Sequence, residues 1–270
     1  MNPRLFSEAP SAPAWRAGET FALPPTAARH VQVLRLQPGS ALTLFNGSGG
    51  QWQAEVLRMG RHEVEVRLLR HEAVERELPL AVTLAIGMPA NDRMDDLVEK
   101  ATELGASGIV PLVSERSVLR LSGERATKRQ AHWQAVAVAA SEQCGRNRVP
   151  VVHPVQALDA FLGQGSVGEV SARWQLSLAP AATPLADACF LDFPVDLLKA
   201  SAHLCVLSGP EGGLSTVEQA RAQQAGYRPV SLGPRTLRAD TAPLAALAAV
   251  TVLAGRGTAP APSAGQGAAA

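Results

Sequence analysis

The chain has 270 residues, 46% of them hydrophobic, which suits two domains of ordinary size and excludes a disordered protein. Its formal charge of +1 argues against a uniformly basic coat for nucleic acid, although 25 Lys and Arg and 24 Asp and Glu can segregate into a local basic face. The three cysteines form no C-x-x-C pair, the six histidines lack metal-binding spacing, and no signal core or membrane-length apolar run occurs. We therefore expect a soluble cytoplasmic protein with neither a metal nor a membrane partner.

The first part of the sequence is predicted to be all-β. Ala41–Phe45 ends at the glycine-rich Asn46–Gly50, and Gln51–Val56 follows with period-two alternation, which is a hairpin signature. Val64–Leu68 alternates again, so we predict a small barrel of short strands. The charged stretch Arg70–Glu77 carries no period and is the predicted linker.

From Leu80 onward, apolar runs alternate with helical patterns, which predicts a parallel α/β sheet. The predicted strands are Ala81–Ile86, Gly108–Val113, Leu204–Leu207 and Val230–Leu232. The predicted helices begin at Asp92, Lys128, Ser215 and Ala242. The Ala/Gly/Pro/Ser tail after Arg256 is predicted to be disordered.

The most informative segment is Leu207–Ser215, which reads Leu-Ser-Gly-Pro-Glu-Gly-Gly-Leu-Ser. It follows an apolar strand and leads into Ser215-Thr-Val-Glu218, which has the form of a helix capping box. Three glycines and a proline remove side chains and fix the backbone course, so a ligand could lie directly on main-chain amides. A tight βα turn that binds nothing is the alternative.

Three other segments carry polar residues that burial does not require. In Leu232–Ala242, Arg235, Arg238 and Asp240 stand between apolar elements, where charges are costly unless paired or functional. In Asn91–Asp95 and Glu142–Arg148, a helix cap and a favourable charge at a helix C-terminus explain the residues as well as ligand contact does.

Together these segments resemble the bacterial 16S rRNA uracil-N3 methyltransferases of the SPOUT superfamily. The resemblance rests on Gly209–Gly213 and Leu232–Ala242 and covers roughly residues 1–255. Further matches occur at Asp92–Met94, Lys100–Gly105, Ser114–Ser117, Glu142–Arg146, Pro3–Phe6 and Ala28–Arg35.

The resemblance implies an α/β protein with an N-terminal PUA-like β-barrel that binds RNA, over residues 1–73. A SPOUT-type methyltransferase domain with a C-terminal trefoil knot would follow over residues 78–255, and a disordered tail over 256–270. It also implies S-adenosyl-L-methionine as cofactor, a homodimer, and methylation of N3 of a specific uridine in 16S rRNA of the small ribosomal subunit.

By the same resemblance, the cofactor lies against the knot. Its implied binding residues are Leu207, Gly209, Glu211, Gly212, Gly213, Leu232, Gly233 and Leu237. Such a cofactor needs backbone hydrogen bonds and an apolar slot rather than a phosphate cradle. The glycine turn accordingly lacks the ending of a P-loop and the Gly-x-Gly-x-x-Gly spacing of dinucleotide sites.

For catalysis, we hypothesise that Arg238 stabilises the anionic uracil, while Asp240 orients the base or helps to deprotonate it. The candidate RNA-binding residues are Arg4, Arg29, His30, Arg35, Arg93 and Arg146. For those in the N-terminal domain, a solvated barrel face is an equally good explanation on local grounds.

The sequence departs from the family pattern in two informative places. Ala239-Asp240-Thr241-Ala242 stands where the family usually has Thr-Glu-Thr-Ala, and Ala90-Asn91 stands for Lys-Gly. Methylation of another rRNA or tRNA base, a non-catalytic RNA-binding assembly factor, and a nucleotide-binding module therefore remain alternatives.

Overall fold

The computed structural model describes residues 2–8, 15–61, 63–90, 93–163, 170–193 and 202–254. By their contacts the described residues form two compact units, the first within Met1–Glu77 and Ser141–Arg148, and the second within Leu78–Ala140 and Val149–Gly257. The predicted helix cap at Asp92 and the predicted disordered tail, 256–270, lie outside the described residues.

The first unit contains a five-stranded sheet with the strand order β1-β3-β4-β5-β2. Strands β1 and β3 are parallel, and the other neighbours are antiparallel. The predicted hairpin is confirmed, because β3 and β4 pair across Asn46–Gly50, and Gly47, Gly49 and Gly50 all have positive φ. The strands are β1 (Arg4–Phe6), β2 (Thr20–Ala22), β3 (Ala41–Phe45), β4 (Gln51–Met59) and β5 (Val64–Glu72).

The expectation of an all-β first unit is wrong, because Pro25–Val33 forms a helix, α1. Proline stands in its first turn, where the missing N–H costs nothing, and Ala27, Ala28 and Val31 are its buried residues. The helix has only nine residues, too short for its period to stand out in the sequence. Strand β5 also continues through Glu72, into the stretch predicted to be the linker.

The second unit is built on an eight-stranded sheet whose described pairings are all parallel, which confirms the predicted α/β class. The strand order is β11-β13-β10-β12-β6-β7-β8, and β9 also pairs with β7. The strands are β6 (Ala81–Gly87), β7 (Gly108–Val113), β8 (Val151–Val152), β9 (Gln156–Ala157), β10 (Ala172–Leu176), β11 (Thr183–Pro184), β12 (His203–Ser208) and β13 (Arg228–Ser231). The helices are α2 (Arg93–Glu103), α3 (Gly123–Cys144), α4 (Leu158–Gly163), α5 (Leu185–Asp192), α6 (Thr216–Gln224) and α7 (Thr241–Ala254).

Two apolar clusters hold the helices to this sheet. Alternate residues of β6 and β12, such as Leu84 and Val206, pack with α2 and α7 in one cluster. Their neighbours Ala85, Cys205 and Leu207 belong to the other, with α4 and α6. Because both strands are buried throughout, they read as continuous apolar runs, and this is why the sequence predicted them.

Strand β10 lies between β12 and β13, yet the sequence did not predict it. Its residues mix Arg173, Trp174 and Gln175, so neither alternation nor an apolar run stands out. Trp174 is fully buried, and its indole N–H nevertheless has a hydrogen-bond partner, because Nε1 donates to Asp192 Oδ2 at 2.7 Å. Within the described ranges, no helix is long and apolar enough to cross a membrane.

Candidate functional site

The two glycine-bearing turns border one pocket in the second unit, with a volume of about 820 Å³. The first turn follows β12 and the second follows β13, and the segment after β10 completes the wall. All three segments leave carboxyl ends of parallel strands, which is where open α/β sheets bind ligands. The lining includes the predicted residues Gly209, Glu211, Gly212, Gly213, Leu232, Gly233, Leu237 and Arg238.

The first turn can follow its course only because it is made of glycine at specific positions. A Cβ on Gly209 would lie 2.8 Å from the backbone N of Leu214 and 3.0 Å from the carbonyl carbon of Gly213, and neither can move freely. Gly213 has a φ of +66°, and its N–H donates to the carbonyl of Pro210 at 2.8 Å. The turn is thus a close backbone fold that exposes main chain to the pocket.

Gly87, the last residue of β6, has the same kind of role, and the sequence analysis did not single it out. A Cβ there would lie 2.5 Å from Cδ and 2.6 Å from N of Pro210. The strand must therefore lack a side chain at the point where the turn packs against it. In the sequence, the one signal of this role was that a glycine ends a buried apolar run.

The helix that follows the turn begins as predicted. The Ser215 hydroxyl accepts a hydrogen bond from the Glu218 N–H at 3.3 Å, and the Ser215 N–H donates to Glu218 Oε2 at 2.8 Å. The predicted capping box is confirmed. The other carboxylate oxygen of Glu218 accepts from the Glu115 N–H at 2.7 Å, so this buried acid also holds the segment after β7.

Three charged residues hold the loops around the first turn. Glu211 Oε1 accepts from the Ala90 N–H at 2.9 Å and lies 3.8 Å from the Arg93 guanidinium. Arg116 donates from Nη1 to the carbonyl of Gly212 at 2.9 Å. The Glu211 side chain, predicted to bind cofactor, is thus engaged by protein groups, and Arg93, predicted to bind RNA, lines this pocket. Arg116 was missed.

The second turn brings two arginines to the pocket. Arg235 and Arg238 both line it with exposed side chains, and neither guanidinium pairs with a carboxylate in the part of the chain that the structure describes. The Arg238 carbonyl accepts from the N–H groups of Thr241 and Ala242 at 3.0 and 2.9 Å, which fixes the turn to the start of α7. Gly233, with a φ of +103°, allows the chain to leave β13 abruptly.

Two of the residues predicted to bind the cofactor or to act in catalysis do not line the pocket. Leu207 is fully buried in the apolar cluster that also holds Leu214 and Ala222. Asp240 is half-buried just before α7, and its Oδ1 accepts from the Thr241 N–H at 3.1 Å. A carboxylate at that point also favours the helix electrostatically, so Asp240 has a structural role besides any chemical one.

The end of β10 and the residues after it also line the pocket, although the sequence did not predict them as part of the site. Gln175, Leu176, Ser177, Leu178 and Ala179 all line the pocket. Leu178 is 67% exposed, so the wall is apolar and open. These residues have no motif of their own, and only the position of β10 in the sheet brings them to the site.

The candidate RNA-binding residues of the first unit differ in exposure. Arg29 and Arg35 are exposed. The His30 Nδ1 lies 3.3 Å from a carboxylate oxygen of Glu142, which partly engages it. Arg4 is half-buried; it donates to the Arg146 carbonyl at 3.0 Å and stands over the Phe45 ring.

The expectation that Arg146 contacts RNA is wrong. The residue is only 4% exposed, and its Nε donates to both carboxylate oxygens of Glu77 at 3.0 and 3.1 Å. A buried guanidinium in a two-oxygen ion pair holds its partner rather than a phosphate. Arg146 therefore joins two segments of the first unit.

The pocket at the carboxyl ends of parallel strands defines an α/β protein with a small-molecule site, and comparison with known proteins gives its family. Residues 76–251 match the family described as "RNA methyltransferase domain", and residues 23–69 match "RNA methyltransferase PUA domain". The chain belongs to this family of RNA methyltransferases, with a PUA-like domain ahead of the methyltransferase domain.

Several individual proteins of this family are similar to the chain over most of its length. The chain is similar to "Ribosomal RNA small subunit methyltransferase E" of Bacillus subtilis, 30% identical over 86% of this chain and 90% of the relative. The protein of that name from Synechocystis sp. is 34% identical over 82% of this chain and 69% of the relative. The crystal structure of that enzyme from Neisseria gonorrhoeae, bound to S-adenosyl methionine, superposes with a TM-score of 0.80 at 34% identity, covering 94% and 98% of the two chains.

Proposed function

We propose that this protein methylates N3 of a specific uridine in the 16S rRNA of the small ribosomal subunit, using S-adenosylmethionine. The observation that carries the proposal is the convergence of both turns on one pocket of about 820 Å³. The relatives are named as methyltransferases of small-subunit rRNA, and the Neisseria gonorrhoeae structure holds this cofactor.

The pocket suits a nucleoside that carries a sulfonium. Its volume falls in the range of about 300–1,000 Å³ that small-molecule sites occupy. Leu176, Leu178, Leu232 and Leu237 supply apolar walls for an adenine and a methionine chain. The first turn offers main chain rather than a cluster of cations, as a neutral base and ribose require.

Main-chain donors are also available there. Leu214 and Leu237 line the pocket, and neither N–H is hydrogen-bonded to another described residue. Such groups need a partner when a ligand displaces water from them. We propose that they hold polar edges of the cofactor, with Gly209 and Gly213 leaving room for its close approach.

When bound, S-adenosylmethionine supplies an electrophilic methyl group. The acceptor nitrogen of uracil must lose its proton, and the ring then carries a negative charge. We propose that Arg238 stabilises that charge, and the support is that its exposed guanidinium lines the pocket with no carboxylate partner among the described residues.

Asp240 follows two residues later. Its Oδ1 is held by the Thr241 N–H, which leaves the second carboxylate oxygen for the base. We propose that this oxygen orients the uracil or accepts its proton, directly or through a water. The shorter side chain, compared with the Glu usual in the family, favours a water in between.

The finer features of the family are proposals for this chain as well. They are the closed barrel in the first unit, the trefoil knot in the second, a homodimer, and a cytoplasmic location. Their support is the resemblance together with the matched domains. Sedimentation of the purified protein tests the dimer directly.

The deciding experiment is transfer of labelled methyl from S-adenosylmethionine to small subunits, naked 16S rRNA and tRNA, followed by nucleoside mass spectrometry. We expect 3-methyluridine at one position of 16S rRNA. A methylated base of another kind, or a modified tRNA, would replace the proposed substrate. Cofactor binding without transfer to any RNA would favour an assembly factor, and binding of ATP instead would favour a nucleotide-binding module.

Variants test the two proposed catalytic residues. Arg238→Ala should lower kcat about 10²- to 10³-fold, as loss of one charge-stabilising donor does elsewhere. Asp240→Asn keeps an oxygen that can accept the hydrogen bond from the Thr241 N–H, so this variant tests the carboxylate charge alone. Asp240→Glu should retain activity. Arg221→Ala is the matched control, because this arginine of the same unit is exposed and pairs only with Asp159 among the partners described. Unchanged turnover in folded Arg238→Ala would remove that assignment.

A further inference from the structure

A second pocket, of about 260 Å³, lies in the same unit. Met94, Leu119 and Trp133 line it, and Met94 and Trp133 are each only 1% exposed, so its floor is firm and apolar. Val118 and Arg125 also line it, and Val118 is 75% exposed. An exposed valine beside a buried indole is an apolar surface that the described residues leave open.

The described lining of this pocket includes two arginines of one helix. Arg125 and Arg129 both line it and lie four residues apart on α3, which places them on one face. Arg125 is exposed and forms no ion pair within the described ranges. Asp95 is the one carboxylate among the described residues of the lining, and both its oxygens are engaged, by Trp133 Nε1 at 3.0 Å and His132 Nε2 at 2.6 Å.

An apolar floor with an arginine at its edge suits a nucleotide. A splayed base packs against apolar and aromatic groups, and its phosphate pairs with arginine. A simple anion would leave the apolar floor uncovered, and an apolar ligand would leave Arg125 without a partner.

The second pocket adjoins the first along the chain. Arg93 lines the first pocket and Met94 the second, and Arg116 lines the first while Val118 lines the second. Two residues of extended chain span at most about 7 Å. A nucleotide next to a base in the first pocket is therefore within reach of the second pocket.

We propose that the second pocket binds a nucleotide adjacent to the methylated base, with the flanking base against Val118 and Leu119 and its phosphate on Arg125. The pocket would thus read sequence context around the target. This inference rests on the proposed function and adds a substrate subsite to it.

The test measures KM for small ribosomal subunits at several salt concentrations, together with the Kd for S-adenosylmethionine. Arg125→Gln should raise KM about 10-fold, because a charge-assisted hydrogen bond is lost. It should also reduce the slope of log KM against log salt by about 0.7–0.9, the value for one phosphate contact. Val118→Asp should raise KM through repulsion of the phosphate. The Kd for the cofactor should stay unchanged in both variants.

Matched controls exist for both changes. Lys128→Gln removes one charge from the same helix, at a lysine that is 76% exposed and pairs with Glu124. Val217→Asp places a carboxylate at an exposed valine of α6 that lines neither pocket. Both should leave KM and the salt slope within about twofold of the parent values, as surface changes away from a contact do.

The outcomes separate this inference from the proposed function. Normal methylation with unchanged KM and salt slope in Arg125→Gln and Val118→Asp would overturn the second pocket alone. If Val118→Asp changed the sedimentation coefficient instead of KM, the surface would belong to contacts between copies of this chain. If no RNA were methylated at all, the proposed function would fail. Filter binding of 16S rRNA to Arg125→Gln would then decide whether the second pocket holds RNA.

Discussion

Gly87 packs against the first turn of the pocket that we propose for the cofactor, so Gly87→Ala should weaken both the fold and the site. The new Cβ would lie 2.5 Å from Cδ of Pro210, where ordinary contact begins at 3.4 Å, so the turn must retreat by about 0.9 Å. Such overpacking costs about 1–3 kcal/mol. For a unit of this size, Tm falls by about 2–4 °C for each kcal/mol.

The effect on affinity follows from the same displacement. A shift of this size lengthens the main-chain hydrogen bonds that we propose for the cofactor, each worth about 0.5–1.5 kcal/mol. Loss of two bonds would raise the Kd about 5- to 140-fold, at about 1.4 kcal/mol for each factor of ten. Isothermal titration with S-adenosylmethionine measures the Kd, and circular dichroism on heating measures Tm.

Gly163→Ala is the control, because a Cβ on this helical glycine meets nothing within 4 Å. Gly163→Ala should leave the Kd for S-adenosylmethionine unchanged, and it should leave Tm unchanged or raise it slightly. If Gly87→Ala matched that control in Kd and Tm, the argument that close backbone contact fixes the turn would be refuted. A fall in Tm with an unchanged Kd would instead place the cofactor away from this turn.

Three further predictions concern the first unit. Arg146→Ala leaves the half-buried Glu77 without its partner and should lower the free energy of unfolding by up to about 3 kcal/mol, measured by urea denaturation. Arg35 has a φ of +54°, so Arg35→Gly should raise that free energy by about 1 kcal/mol while it weakens rRNA binding in a filter assay. Burial raises the pKa of Glu142 above its ordinary value of 4.5, and this outweighs the lowering by the Phe6 N–H and by His30. The contribution of Glu142 to stability is thus fully present below pH 4.5 and is lost as pH rises through the folded pKa, so Glu142→Gln should flatten stability in that window.

Each of these predictions has a control on the same chain. Arg29→Ala removes an exposed arginine and should not change the free energy of unfolding. Gly39→Ala places a side chain at a φ of +87° in open space, so it should destabilise where Arg35→Gly stabilises. Glu124→Gln, at a carboxylate that is 82% exposed, should leave the pH profile as it is. If Arg29→Ala lowered the free energy of unfolding as much as Arg146→Ala, or Glu124→Gln flattened the pH profile as Glu142→Gln does, the reasoning from these contacts would fail.

Several features could be predicted from the sequence because they depend on neighbours along the chain. The hairpin at Asn46–Gly50, the buried strand before the glycine turn, and the capping box at Ser215 are local patterns. Each has a physical cause within a few residues, such as a positive φ or a reciprocal pair of hydrogen bonds. The glycine turn and Arg238 were predicted as site residues in the same way, and the structure brings both to one pocket.

The tertiary structure decided what depends on residues far apart in the chain. The sequence of β10 has no strand pattern, and only its place between β12 and β13 brings Leu176–Ala179 to the pocket. In the sequence, Arg146 is a candidate for phosphate contact. In the structure it is buried and forms an ion pair with Glu77, which is 69 residues away in the chain. Gly87 matters because Pro210 crosses it. Local preference sets backbone conformation, but burial and pairing are set by partners whose separation in sequence carries no signal.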